Sequence, residues 1–348
     1  MQRQGHERTT KEIIEPSSRK KIVLLLVGVL TIALLFNLVA IGYRNYYANS
    51  GWDLAAKKWE MLLDLNEPVD WLILGDSTGI TGVDPAVISA GLGGTSINLC
   101  TQGFNGAIND AWMLDTYITK FGPPKNVLLV NFFQTWYIDP SPAVVAALPL
   151  EWCFWKKLDP PMYFDFGDTC NLWLQRYAPI AVANSVSQWI LGGKWFWAGI
   201  FPSLNHTVLQ SDGLFLNWNT FPGLVEQSAQ EEITFIRGNP FHVSDSAQRA
   251  LARIRELAEE NGFDVYMVDG PTYQGLFADQ VFQVYFAKVR QWESGFAATS
   301  ERIHYLSSVQ LSFPEPLMRD AVHVLPSGAG NFTERLVSGI VSLQSSSK

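Results

Sequence analysis

The chain has 348 residues, 47% of them hydrophobic, and is therefore long enough to bury a full core. Its formal net charge is -8 at pH 7, and its lysines and arginines are scattered along the chain after residue 60. Such a chain offers no basic face to a phosphate backbone, so we set nucleic acid aside as a partner.

Residues 1–21 are predicted to form a polar cytoplasmic tail, and residues 22–43 are an uncharged apolar run. About 20 such residues suffice to cross a bilayer, whereas a secretory signal has a shorter apolar stretch, so the run predicts a retained transmembrane helix. Arg19, Lys20 and Lys21 precede the run, which places the N-terminus in the cytoplasm. We expect a single-pass protein of the cell membrane whose main domain lies in the periplasm or outside the cell.

Residues 44–69 are predicted to form a helical stem, and residues 70–348 a single α/β domain. Five short apolar runs, each bounded by turn residues, predict buried strands. They lie at residues 71–74, 96–99, 127–130, 263–268 and 302–306. Helical patterns alternate with the runs, which implies right-handed crossovers and a mostly parallel five-stranded sheet covered on both faces. Ligands are expected beyond the carboxyl ends of its strands.

The clearest helical pattern runs from residue 245 to residue 261. Ser244 can cap its start, and Gly262 lies where it should end.

Residues 138–240 interrupt the alternation and are predicted to be an insertion that caps the sheet. They hold seven of the thirteen tryptophans, among them Trp152, Trp155, Trp195 and Trp197. These aromatics either stack on sugar rings, lie in the lipid headgroup region as residues 194–201 would, or form a satellite hydrophobic core.

The chain has three cysteines, which allow at most one internal disulfide, and we expect it to join Cys153 to Cys170. The sequence contains neither a CxxC motif nor a histidine cluster, so no metal and no cofactor are expected.

The sharpest local signal is the apolar run that ends in Gly75-Asp76-Ser77. A serine at a strand end lies at the ligand crevice, and the glycine allows the tight turn that delivers its hydroxyl there. The structural alternative is a serine that caps the N-terminus of a helix.

A second signal lies near the other end of the chain, where Asp320 precedes His323 by three residues. Residues at this spacing share a face, so the carboxylate can hold the Nδ1 proton while Nε2 points outward as a base. The serine follows the first strand and the pair follows the last, so the sheet would bring all three to one edge. In the order Ser, Asp, His they would assemble a catalytic triad.

In these two blocks, strand-Gly-Asp-Ser at Asp76-Ser77 and Asp-x-x-His at Asp320 to His323, the chain resembles the SGNH, or GDSL-type, hydrolase superfamily. The resemblance covers roughly residues 70–342 and implies a three-layer, flavodoxin-like domain with Ser77 as the nucleophile. It also implies that residues 98–103 match the family's second block, whose glycine, here Gly103, donates a backbone N–H to the oxyanion beside that of Ser77. Asn105 and Gly106 are spare candidates.

The third block departs from the family, because Gly-x-Asn-Asp is replaced by Val-Asn-Phe-Phe-Gln-Thr-Trp-Tyr at residues 130–137. Asn131 or Gln134 would then supply the side-chain oxyanion donor. Residues 133–137 are similar to a segment in the membrane-anchored branch of the superfamily that D-alanylates teichoic acids, and other members O-acetylate exopolysaccharides such as alginate. Asp76, Trp136 and Tyr137 are the residues we expect to contact substrate.

The resemblance implies serine-dependent acyl transfer, by an O-acyltransferase or esterase, to a cell-envelope polymer or exopolysaccharide. It also implies a multi-pass membrane acyltransferase as a partner, touching the span near Asn37. The alternative is a non-catalytic subunit that keeps the fold as a polysaccharide-binding scaffold, which the missing Gly-x-Asn-Asp favours and the intact Ser77, Asp320 and His323 oppose.

Overall fold

The structure is a computed structural model, and it describes residues 16–49, 54–103, 106–139, 165–178 and 207–346. The described helices are α1 Pro16–Asn49, α2 Leu54–Asp64, α3 Ser77–Gly82, α4 Pro85–Leu92, α5 Gly106–Phe121, α6 Phe166–Tyr177, α7 Leu224–Gly238, α8 Asp245–Asn261, α9 Gln280–Ala297 and α10 Pro326–Ser346. The strands are β1 Trp71–Gly75, β2 Ser96–Asn98, β3 Asn126–Asn131, β4 Thr207–Leu209, β5 Phe215–Asn217, β6 Asp264–Asp269, β7 Thr272–Tyr273, β8 Ile303–Tyr305 and β9 Ser312–Phe313.

Five strands form one parallel sheet in the order β2-β1-β3-β6-β8. They are the five strands predicted from the apolar runs, and the predicted α/β class with a parallel sheet is confirmed. Helices α5 and α8 pack together, whereas α10 packs on α3 and α4, so helices cover both faces. The strand residues between are almost all buried, as expected for a parallel sheet covered on both faces.

The predicted helix at residues 245–261 is present as α8, with the expected ends. The Ser244 side chain accepts a hydrogen bond from the backbone N–H of Ala247 and so satisfies one donor of the first turn. Gly262 ends the helix in the left-handed conformation, at φ 75°. The inward face of α8, which includes Leu251 and Ile254, is buried against the core.

Helix α1 contains the apolar run. Its segment from Lys20 to Gly42 is long and apolar enough to cross a membrane, and a signal sequence would pass the same test. Residues 44–49 of the predicted stem continue α1 and residues 54–64 form α2, which is not a spacer. Ala55, Trp59 and Leu62 of α2 are buried in the core, so the α/β domain begins before residue 70.

The predicted insertion contributes three described pieces: α6, the antiparallel β4-β5 hairpin and α7. Trp152, Trp155, Trp195, Trp197 and Cys153 lie outside the described residues. Cys170 is a free, exposed thiol, and its predicted disulfide partner Cys153 is among these residues outside the described part of the chain. Cys100 is also free and is buried.

The carboxyl end of β1 is held tightly against its neighbours. Gly75 adopts φ 132°, and a Cβ built on it would lie 1.8 Å from the carbonyl oxygen of Val130 on β3. The Gly75 carbonyl accepts from the N–H of Thr101, and the Asp76 N–H donates to Val130 O. A residue with a side chain would clash with the next strand, so only glycine allows β1 to turn here.

We expect Gly75→Ala to unfold the domain or to lower its free energy of unfolding by more than about 4 kcal/mol, because backbone cannot move aside as a side chain can. Gly295→Ala is the control, since it lies in α9 with no atom within 4 Å of an added Cβ and should gain about 0.5–1 kcal/mol from helix propensity. Urea unfolding in detergent measures both variants. Equal stability of the two would show that β1 does not need glycine at its end.

Candidate active site

Ser77 begins α3 directly after β1. It is the one partly exposed residue in the otherwise buried run from Trp71 to Val83, so its hydroxyl is reachable from outside. The helix is capped by Asp76 rather than by the serine, because the Asp76 carboxylate accepts from the N–H of Thr78. The Ser77 side chain therefore does not cap the helix, as the alternative interpretation of the sequence supposed. It remains available for a contact with another residue.

The expected contact of Asp76 with substrate is not supported. Asp76 is 2% exposed, and both carboxylate oxygens are used inside the protein. One accepts from the N–H and hydroxyl of Thr78, at 2.9 and 2.7 Å, and the other accepts from the N–H of Phe132 and the hydroxyl of Thr135. Asp76 is thus a structural link that ties the start of α3 to the chain leaving β3.

The Asp-x-x-His segment forms a tight loop before α10. The Asp320 Oδ1 atom accepts from the backbone N–H groups of Val322, at 3.1 Å, and of His323, at 3.0 Å. This local turn explains the three-residue spacing, because the Asp320 carboxylate binds the backbone N–H groups of the residues that follow it. The loop is fastened from outside as well, because Ala321 N–H donates to Ser228 Oγ of α7 and Ala321 O accepts from Tyr273 N–H.

The sheet brings the serine and the pair together. His323 Nε2 lies 2.8 Å from Ser77 Oγ, and His323 Nδ1 lies 2.8 and 2.9 Å from the two oxygens of Asp320. Because a carboxylate can only accept, we assign the proton to Nδ1, which leaves the Nε2 lone pair facing the serine hydroxyl. The three side chains have the arrangement of nucleophile, base and orienting acid.

The Asp320 carboxyl stays ionised. Burial alone would raise its pKa, but His323 and Arg319 outweigh burial and hold the pKa well below its usual range. Arg319 donates to Asp320 Oδ2 through Nε at 2.9 Å and through Nη2 at 2.6 Å. Sequence reasoning missed this role for Arg319, although its position directly before Asp320 was a usable signal.

Ser77 and Gly103 are the predicted backbone oxyanion donors. The N–H of Ser77 is at the first position of a helix, where no intrahelical acceptor exists. Gly103 lies near Asp76, since a Cβ built on Gly103 would be 3.7 Å from Asp76 Cβ. The spare candidate Asn105 lies outside the described residues, and Gly106 is buried at the start of α5.

Asn131 does not fit the expected role of oxyanion donor. The preceding Val130 lies toward α3, because a Cβ on Gly79 would be 3.2 Å from its Cβ, so strand alternation turns Asn131 to the opposite face of the sheet. There it pairs in register with Asp269 and is buried, with both side-chain polar atoms unbonded within the described residues. The departure from the family pattern therefore leaves this amide away from Ser77.

Gln134 is engaged by a residue that the sequence did not indicate. Its Nε2 donates to Glu232 Oε2 of α7 at 2.6 Å. Burial raises the pKa of Glu232 to about 7, with the charges of Asp320 and Glu231 adding to it. Glu232 is one helical turn beyond Ser228, which accepts from Ala321 in the loop between Asp320 and His323, so this pair lies beside the candidate triad.

Trp136 lies in the protein interior, and Tyr137 is half-buried with its hydroxyl bonded inside the protein. Trp136 is 1% exposed, and its Nε1 donates to Glu293 Oε1 at 2.8 Å. The Tyr137 hydroxyl donates to Asn239 Oδ1 at 2.9 Å, and its ring packs on Phe235. Their expected contact with substrate is thus not supported, because their polar atoms are hydrogen-bonded to other residues of the protein.

The described fold and site define an α/β protein with a Ser-His-Asp arrangement at the carboxyl edge of a parallel sheet. No protein-family model matches the chain, and no curated protein matches it significantly. A solved structure from Streptococcus pneumonia, described provisionally as a platelet activating factor, is similar at a TM-score of 0.35 and 9% identity, over 91% of this chain and 98% of that chain. A likeness at this level carries no argument, so the function must be argued from the geometry.

The raised pKa of Glu232 makes stability depend on pH. Between the ordinary pKa of about 4.5 and the folded value of about 7, the folded protein binds the proton more tightly than the unfolded chain, so stability falls as pH rises through this window. We expect Glu232→Gln to stabilise the protein at pH 8 relative to pH 5 by about 1–3 kcal/mol, measured by urea unfolding. Glu259→Gln, at an exposed position of α8, is the matched control and should show no such difference.

Proposed function

We propose that the chain is a membrane-anchored SGNH-type enzyme that transfers acyl groups through Ser77. The observation that carries this proposal is the contact of His323 Nε2 with Ser77 Oγ at 2.8 Å, with Asp320 bonded to the other ring nitrogen. A base within hydrogen-bond reach of a partly exposed hydroxyl is the requirement for nucleophilic catalysis.

The reaction follows from this geometry. His323 Nε2 removes the proton of Ser77 Oγ as the oxygen bonds to the acyl carbonyl carbon, and the ionised Asp320 stabilises the resulting imidazolium. The tetrahedral intermediate expels the leaving alcohol, which takes the proton from His323, and an acyl-serine remains. An acceptor hydroxyl then gives its proton to His323 as it attacks the acyl carbon, and the Ser77 oxygen leaves and takes that proton from His323. Water in place of the acceptor makes the same chain an esterase.

The negative charge of the tetrahedral intermediate needs donors that are fixed in advance. The proposed donors are the backbone N–H of Ser77, at the start of α3, and that of Gly103, which lies near Asp76, whereas the amides of Asn131 and Gln134 are turned away or occupied. Losing one such donor typically costs about 3–4 kcal/mol of transition-state stabilisation. Two backbone donors support catalysis without a side-chain donor from the third block.

A saccharide acceptor is supported by aromatic residues beside the catalytic loop. The hydroxyl of Thr220 donates to the carbonyl of Arg319 at 3.1 Å, so the segment before α7 touches this loop. On either side of Thr220, Trp218 is 46% exposed and Phe221 is 57% exposed. Exposed rings next to a hydroxyl-acylating site favour a polymer of sugar rings, because such rings offer flat apolar faces.

The proposed location follows from α1. An apolar helix preceded by basic residues would anchor the enzyme in the cell membrane and leave the α/β domain in the periplasm or outside the cell. By the resemblance to members that acylate envelope polymers, a multi-pass membrane acyltransferase is proposed to pass the acyl group across the membrane to Ser77. Glycans of the cell envelope or an exopolysaccharide would then be the acceptor.

The second candidate is a non-catalytic scaffold, favoured by the absence of a side-chain oxyanion donor from β3. A fluorophosphonate probe separates the two, because only an activated serine displaces its fluoride. We expect the full-length protein in detergent to be labelled at Ser77, with the rate lowered at least about 10³-fold in Ser77→Ala and in His323→Ala. Ser338→Ala, at an exposed serine of α10, should label as the wild type does. Absence of labelling in a folded wild type would favour the scaffold.

Trp218→Ala and Phe221→Ala are expected to weaken the acceptor but not the acyl step. With p-nitrophenyl acetate as donor and alginate oligomers as acceptor, KM for the oligomer should rise about tenfold, which corresponds to loss of about 1.4 kcal/mol of ring contact. Hydrolysis of p-nitrophenyl acetate alone should be unchanged. Val341→Ala, which removes an equally exposed apolar side chain on α10, is the control. Acetate release without any acetylated oligomer, seen by mass spectrometry, would identify an esterase instead.

A further inference from the structure

Helix α6 carries two apolar faces, although a surface helix needs only one. Leu172 and Thr169 are buried against the domain. The opposite stripe is exposed and is formed by residues spaced four, four and three apart, which lie on one side at 100° per residue. These residues are Phe166, Cys170, Leu174 and Tyr177, of which Phe166 is 86% exposed.

The end of this stripe meets α1. Asn37 Nδ2 of α1 donates to the backbone carbonyl of Tyr177 at 2.8 Å. The Tyr177 carbonyl belongs to the last turn of α6, where carbonyls lack an intrahelical partner, and Asn37 is an amide inside an apolar helix. The Asn37 amide and the Tyr177 carbonyl therefore satisfy each other's hydrogen bonding in a membrane, where water is scarce.

The position of Asn37 sets the depth of α6. Asn37 is five residues before Gly42, where the apolar segment ends, so at 1.5 Å per residue it lies about 7.5 Å inside that end. An amphipathic helix that lies in a membrane surface buries its apolar face about 5–10 Å into the boundary between headgroups and acyl chains. The two depths agree.

We propose that α6 is a second membrane contact, a helix about 18 Å long that lies in the plane of the bilayer surface beside α1 with its exposed stripe in lipid. Asp168 lies on the side of the helix away from the stripe and stays in water. This contact rests on the membrane location given to α1 in the proposed function. It holds the α/β domain against the bilayer at a fixed orientation, which a single flexible anchor does not do.

The free thiol of Cys170 allows a direct test in the full-length protein, reconstituted into phosphatidylcholine vesicles. Cys100 is buried and Cys153 is replaced by serine, so a polarity-sensitive nitrobenzoxadiazole label reports on Cys170 alone. We expect a blue-shifted emission that is quenched by lipids brominated near the headgroup. Phe166→Cys, in a variant whose Cys170 is also replaced by serine, should behave in the same way.

Asp168→Cys, also in the variant without Cys170, is the matched control, since it lies within one turn of Phe166 but on the far side of α6, and its label should stay in water and unquenched. Leu30→Cys in the same background, in the middle of the apolar segment, tests the anchor itself with lipids brominated near the ends of their acyl chains. Quenching at Leu30 without quenching at Cys170 overturns the role of α6 and leaves the anchor intact. A blue shift at Cys170 that no lipid quenches means that protein covers the stripe, which also overturns the proposal. A label at Leu30 that is not quenched removes the anchor and with it both claims.

Discussion

The contact between Ser77 and His323 joins residues 246 positions apart, and the candidate site depends on it. Neither residue reaches the other by local structure. The parallel order of the sheet places the carboxyl end of β1 in its interior, and α10 returns across α3 and α4, so the loop before α10 comes to rest over the start of α3. A sheet with another strand order would hold the same two motifs apart.

The serine is held in place mainly by its neighbours. Asp76 accepts four hydrogen bonds, and below it the N–H of Gly75 donates to Asp110 Oδ1 at 3.1 Å. Burial, together with the charge of Asp76, raises the pKa of Asp110 well above its usual range. The buried Asp110 thus supports the turn at Gly75 from inside the core.

A second group of buried polar residues lies under the end of β3 and β6. Glu293 accepts from Trp136, and Asp269 accepts from the hydroxyl of Tyr305 at 2.6 Å. Burial and the nearby Asp269 raise the pKa of Glu293 well above its usual range, and burial raises that of Asp269 to about 6. Asn131 pairs in register with Asp269 and faces this group, so it lies away from the candidate site. The segment at residues 130–137, where the sequence departs from the resembled Gly-x-Asn-Asp pattern, thus contributes to the interior rather than to the candidate site.

The sequence by itself determined the strands, the ends of α8, the apolar α1 and the two short motifs, because each depends on residues close together in the chain. Period, caps and turn residues are local properties, and so is the Asp320 turn that sets its spacing from His323. Only the tertiary structure decided the direction of each side chain and the sharing of hydrogen bonds between distant segments. In the folded protein, therefore, the polar atoms of Asp76, Trp136 and Tyr137 bond inside the protein and Asn131 is buried. Helix α2 packs in the core, and Arg319 and Glu232 lie at the candidate site. The physical reason is that a buried polar group must find a partner, and which partner lies within reach is set by packing rather than by chain order.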